Sequence, residues 1–128
     1  MPSRSVLIVD DDPEMCRMLV EVLQDRGLEA KYAVDVDQAL GLLEGEHFSA
    51  VVSDIRMSPR DGFELLEAVR RLEAAPPVIL MTSFATCGTA HEVREAGAFA
   101  FIKKPFLPSQ LSDLIERAMA LANGAPTR

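Results

Sequence analysis

The chain has 128 residues and a formal net charge of -7. This length suits one domain, burying roughly two-thirds of the surface its unfolded form would expose. The acidity, with no run of Lys or Arg, argues against direct nucleic-acid binding. No apolar stretch approaches the roughly 18 residues that a membrane-spanning helix needs. The N-terminal Met-Pro-Ser-Arg-Ser lacks the apolar core of a signal peptide, so a cytoplasmic location is expected. Cys16 and Cys87 lack paired metal spacing, and Cys16, in a helical apolar pattern, reads as a buried reduced thiol.

The first strand is expected at Ser5-Val6-Leu7-Ile8-Val9, running into Asp10-Asp11-Asp12. Asp12 suits a helix N-cap and Pro13 the first helical position. Cys16, Leu19, Val20 and Leu23 follow with helical spacing, and Gly27 supplies the stop. Leu28 to Val34 alternates apolar and polar residues, as a half-exposed strand at a sheet edge does. A second helix starts at Asp35, with Gln38 as capping partner, and ends at Gly45. Ala50-Val51-Val52-Ser53-Asp54 reads as a fully buried strand that ends on a carboxylate. After an irregular loop, a third helix from about Gly62 turns Phe63, Leu66 and Val69 inward and stops before Ala75-Pro76-Pro77. A fourth strand, Val78 to Met81, runs into Thr82. A weak fourth helix through Ala90 and Val93 closes at Gly97. A fifth strand, Phe99 to Ile102, leads to Lys103-Lys104-Pro105. Pro108 opens a last helix with Leu111, Leu114, Ile115, Ala118 and Leu121 on one face.

Strands alternating with helices through right-handed crossovers give a parallel sheet covered on both faces. Parallel strands end on one rim, where open α/β sheets place their chemistry. Asp10, Asp11, Asp54, Thr82 and Lys104 would meet there. Three carboxylates close together repel one another, and burial adds to the cost. Either some act as caps or stay protonated, or a hard divalent cation with oxygen ligands neutralises them, which suits Mg²⁺. Thr82 adds a hydroxyl and Lys104 a point charge. The chemistry suggested is phosphoryl transfer onto Asp54.

These residues carry a family resemblance. Val9-Asp10-Asp11-Asp12-Pro13, Ser53-Asp54-Ile55-Arg56-Met57 with Asp61-Gly62, Met81-Thr82-Ser83, Ala96-Gly97-Ala98-Phe99 and Lys104-Pro105-Phe106 resemble, in order and spacing, a response-regulator receiver domain. Thr82 lies 28 residues beyond Asp54, and Lys104 another 22 beyond that. The resemblance implies a flavodoxin-like (βα)5 three-layer sandwich with strand order 2-1-3-4-5. Residues 1–128 are then one receiver domain, with its core at about 5–122 and a frayed tail at 123–128.

The resemblance also implies roles. Asp54 is the phosphoacceptor, served by a histidine kinase or phosphotransfer protein. Mg²⁺, with Mn²⁺ as an alternative, is held by Asp11, Asp54 and the backbone carbonyl of Arg56, with Asp10 acting through water. Asp12 is left to helix capping. Thr82 and Lys104 contact the phosphoryl group, and Phe101 is the aromatic that turns inward on activation. The Lys104–Pro105 bond is usually cis in the family. Arg56 and Phe84 stand where side chains influence dephosphorylation, and Phe84 is expected to shield the acyl phosphate. The output is a switch of the surface made by the fourth helix, fifth strand and fifth helix. That surface controls an output domain or partner protein and offers a route to homodimers. The chain is expected to be a signalling phosphoacceptor and not an enzyme, with no membrane partner.

Three features depart from the common pattern. Pro59 stands one place late in Ser58-Pro59-Arg60, which bears on the Arg56 carbonyl. Thr86-Cys87-Gly88-Thr89 is a poor helix start, so a short or mobile fourth helix is expected. Leu107 replaces the usual capping Asp or Ser. His47 and His91 lack partners at ligand spacing and read as solvated. Rival functions fit less well. A phosphatase with a nucleophilic Asp would want a second Asp where Arg56 stands, and a flavin carrier would not place three aspartates against a phosphate. A receiver-like interaction module that is never phosphorylated remains as the alternative.

Overall fold

The computed structural model describes residues 4–83 and 89–122. Ten elements alternate: β1 (Ser5–Val9), α1 (Pro13–Asp25), β2 (Glu29–Ala33), α2 (Val36–Gly45), β3 (Ala50–Asp54), α3 (Gly62–Arg70), β4 (Val78–Thr82), α4 (Thr89–Ala96), β5 (Ala100–Lys103) and α5 (Pro108–Ala122). The strands form one sheet of order β2-β1-β3-β4-β5, and all four pairings are parallel.

Alternation along each strand divides the core in two. Val6, Ile8, Val52, Ile79 and Met81 face α1 and α5, meeting Leu19, Leu23, Leu111 and Ile115. Leu7, Val9, Val51, Val78 and Leu80 face the other helices, meeting Val36, Ala39, Leu65, Leu66, Val69 and Val93. β1 and β4 are buried throughout, as central strands covered on both faces should be. β2 is exposed at Glu29 and Lys31, and these charges blunt a sheet edge.

The helix starts are written in side chains. Asp12 Oδ1 accepts from the Glu14 and Met15 amides at 3.1 and 3.4 Å, with Pro13 at the first position. Asp35 Oδ1 accepts from the Gln38 amide at 2.8 Å, while Gln38 Oε1 accepts from the Val34 amide. Asp61 and Glu64 form a complete capping box. At α5, Leu107 offers no side-chain cap, and Gln110 Oε1 reaches back to accept from the Leu107 amide at 2.8 Å.

Several details differ from the sequence reading. β5 starts at Ala100, one residue after Phe99, whose amide bonds the Val78 carbonyl from outside the strand. α3 buries Leu65 with Leu66 and Val69 and leaves Phe63 half-buried. Leu121, expected on the apolar face of α5, is 48% exposed near the end of that helix. α4 is described over Thr89–Ala96, and the poor helix start expected at Thr86-Cys87-Gly88 lies outside the described residues.

Candidate functional site

Strand register builds the site. Val9 is paired with Ser53, so the next residues along the two chains, Asp10 and Asp54, leave the sheet side by side. Asp54 is level with Met81, which puts Thr82 one step further along the same rim. Thr82 is 4% exposed, and its carbonyl accepts from the Lys104 amide at 2.7 Å as the chain leaves β5. The Lys104–Pro105 peptide is cis, and so is Ser58–Pro59.

Carboxylate oxygens of Asp10, Asp11 and Asp54 lie within 4.8 Å of one another. Asp10 is nearly inaccessible. Its Oδ1 accepts from the Asp12 amide at 3.0 Å, and its Oδ2 accepts from Lys104 Nζ at 2.9 Å. Asp54 Oδ2 accepts from the same Nζ at 3.3 Å, and Asp54 Oδ1 from the Arg56 amide at 3.3 Å. Asp11 is exposed to solvent at the mouth. Behind the site, Cys16 Sγ donates to the Asp10 carbonyl at 3.2 Å. Burial and then the Asp10 charge push this thiol up to about 12, so it remains protonated and can donate.

The charges do not balance. Burial raises the Asp54 carboxyl above its ordinary value, the Lys104 ammonium opposes this, and the Asp10 charge adds to it. Burial pulls Lys104 down, but the hydrogen bond and charge of Asp10, followed by Asp54, carry it above its ordinary value. The Lys104 ammonium thus bonds Asp10 and Asp54, and no such bond to Asp11 is described, so three clustered carboxyl groups face one cation. Hard oxygen donors with surplus negative charge fit a small divalent cation, which would relieve the repulsion directly.

The sequence-derived residues fall into four groups. Asp10, Asp11, Asp54 and Lys104 converge through their side chains, with Thr82 tied in through its carbonyl. Arg56 stands in the loop after Asp54 and lines a cleft of about 570 Å³ with Asp11, Met57 and Asp61. Phe101 stands apart in β5, level with Leu80 and half-buried against the α2–α4 face. Phe84 and Cys87 lie outside the described residues. Sequence reasoning missed the Cys16 donor and an apolar groove beside Lys104, lined by Met15, Met18, Pro105 and Phe106. Met18, read with the other methionines as core or loop filler, is instead 52% exposed at this groove.

Known proteins resemble this chain in sequence and fold. The family described as "Response regulator receiver domain" matches residues 6–116. The regulatory protein AtoC of Escherichia coli is 39% identical over 116 residues, covering 91% of this chain and 25% of AtoC. The response regulator protein PilR of Pseudomonas aeruginosa is 31% identical over 123 residues, covering 96% of this chain and 28% of PilR. The chain therefore spans about a quarter of the length of these curated relatives. Among solved structures, a CheY-like receiver domain protein from Methanospirillum hungatei superposes with a TM-score of 0.88 at 28% identity, covering 98% of this chain and all of that one. The chemotaxis response regulator CheY4 of Vibrio cholerae gives 0.83 at 30% identity, covering 91% of this chain and 99% of its own. Family match and fold agree, and the chain belongs to the response regulator receiver domain family of two-component signalling.

Proposed function

We propose that Asp54 accepts a phosphoryl group from the phosphohistidine of a histidine kinase or phosphotransfer protein. The observation that carries this reading is the convergence of the Asp54 carboxylate with Asp10, Asp11 and Lys104. One Asp54 oxygen forms a bond to phosphorus as the phosphorus–nitrogen bond of the donor breaks, and the imidazole keeps the electron pair. Asp11, Asp54 and the Arg56 carbonyl would hold Mg²⁺ (Mn²⁺ as substitute), with Asp10 acting through water. When bound there, such a cation would offset charge on the phosphoryl oxygens. Lys104 Nζ, already 3.3 Å from Asp54 Oδ2, turns to the new phosphoryl oxygens.

The product carries about -2 charge where an ion-paired carboxylate stood. Thr82 moves to hydrogen-bond it, Phe101 takes the vacated space, and the α4-β5-α5 surface changes its population of states. That surface controls an output domain or downstream protein, or pairs with a second copy. Within the relatives' longer chains such an output domain is a natural partner. The apolar groove at Met15, Met18, Pro105 and Phe106 adjoins Lys104 and supports docking of the phosphodonor there. No described helix is long and apolar enough to cross a membrane, which is compatible with action in the cytoplasm.

Incubation with acetyl phosphate and Mg²⁺, read by intact mass, tests the reading. The wild type gains one phosphate and Asp54→Ala gains none. No gain in the wild type favours the interaction module that works without phosphorylation.

A further inference from the structure

α3 is seated on the backbone of the phosphoacceptor. Gly62, its first residue, is buried, and its amide donates to the Ile55 carbonyl at 2.8 Å, closing the loop that follows Asp54. A Cβ at this position would stand 2.9 Å from Ile55 Cα and 3.1 Å from the Asp54 carbonyl carbon, and closer still to the Asp54 carbonyl oxygen. All three are main-chain atoms, and none can swing aside as a side chain would.

Both sides of this contact are held. The Ile55 amide donates to the Met81 carbonyl at 2.9 Å, and the Asp54 carbonyl accepts from Ser53 Oγ at 2.9 Å. On the helix side, the Asp61–Glu64 capping box fixes the first turn. Any side chain at 62 must therefore lift α3 or displace the 54–55 peptide. The Asp54 carboxylate hangs from the Asp54 Cα, where that peptide begins, and moves with it.

We propose that Gly62 is a positioning residue for Asp54. Its missing side chain sets the depth at which the Asp54 carboxylate meets Asp10, Asp11 and Lys104. This rests on the metal-site reading above. Mg²⁺ demands near-ideal octahedral geometry, so a shift of a few tenths of an ångström in one ligand is felt as lost affinity.

The test is Mg²⁺ affinity, measured by calorimetry on metal-free wild type, Gly62→Ala and Gly41→Ala. A Cβ at Gly41 meets nothing within 4 Å, so Gly41→Ala controls for adding a methyl group to a helix. Gly62→Ala should bind Mg²⁺ about tenfold more weakly, the loss typical when support of a metal ligand is disturbed. Gly41→Ala should match the wild type. Urea unfolding, run in parallel, separates a merely structural role. Such a role lowers the unfolding midpoint and leaves the affinity of folded protein unchanged, and that result overturns the proposal. If Gly62→Ala does not fold alone, the same comparison is made in the Gly41→Ala background, which the better helix former stabilises. Equal affinity in wild type and Gly62→Ala removes only this inference. Failure of the wild type to bind Mg²⁺ removes it together with the metal-site reading.

Discussion

Asp54 is held in two opposed ways, by burial and by the Lys104 ammonium, and burial is the stronger. Burial raises its folded-state pKa despite the nearby Lys104 ammonium. A group with a raised folded value contributes stability below its unfolded pKa and loses it as pH rises through the folded one. At neutral pH, then, ionised Asp54 costs the metal-free protein stability. Asp54→Asn should melt higher than wild type in chelating buffer at pH 7.5, and the difference should close as pH falls below the ordinary value of 3.8. Thermal melts across that range check the sign. Lys104 is the opposite case. Its folded-state value is raised, so its contribution is fully present at pH 7 and is lost only as pH climbs through that raised value. Lys104→Met strands Asp10, whose side chain is 2% exposed, and should destabilise by about 3 kcal/mol, the low end for a broken buried pair. Denaturant titration in chelating buffer reads this directly.

Among the elements, α3 and α4 are joined at a point that sequence periodicity does not reveal. Gly97 has φ of +93°, and a Cβ there would stand 2.6 Å from the Arg70 guanidinium carbon. The guanidinium occupies that space because Nη1 donates to the Ala96 carbonyl at 2.9 Å, capping the end of α4. Gly97→Ala should cost about 1–2 kcal/mol from left-handed backbone alone, and more through the displaced arginine. Arg70→Ala should cost less, and the double variant less than the sum, because both changes break one contact. At α5 the logic reverses. Leu107 is 64% exposed at the N-cap position and offers no acceptor. Leu107→Ser should stabilise by about 1 kcal/mol, seen as a raised urea midpoint.

For the molecule as a whole, the parallel sheet was legible because β1, β3 and β4 are short apolar runs bounded by caps and turn residues, while its strand order came only from the family resemblance. The rim was legible because each of these strands ends in a residue with oxygen donors. Asp10, Asp11, Asp54 and Lys104 meet as their positions in the chain imply. What was hidden depends on distance in space. The full burial of Leu65 beside a half-buried Phe63 and the exposure of Leu121 depend on how each helix is seated, which helical period alone does not fix. The Cys16 bond to the Asp10 carbonyl and the seat at Gly62 are close approaches with no sequence period. The central claim is that this rim directs a phosphoryl group onto one carboxylate with help from a divalent cation. Its most direct test is to treat the chain with acetyl phosphate, reduce the acyl phosphate with borohydride and map the product by peptide mass. The account predicts modification at Asp54 that requires Mg²⁺ and disappears with chelator. Modification at another residue, or to an equal extent with chelator, would contradict it.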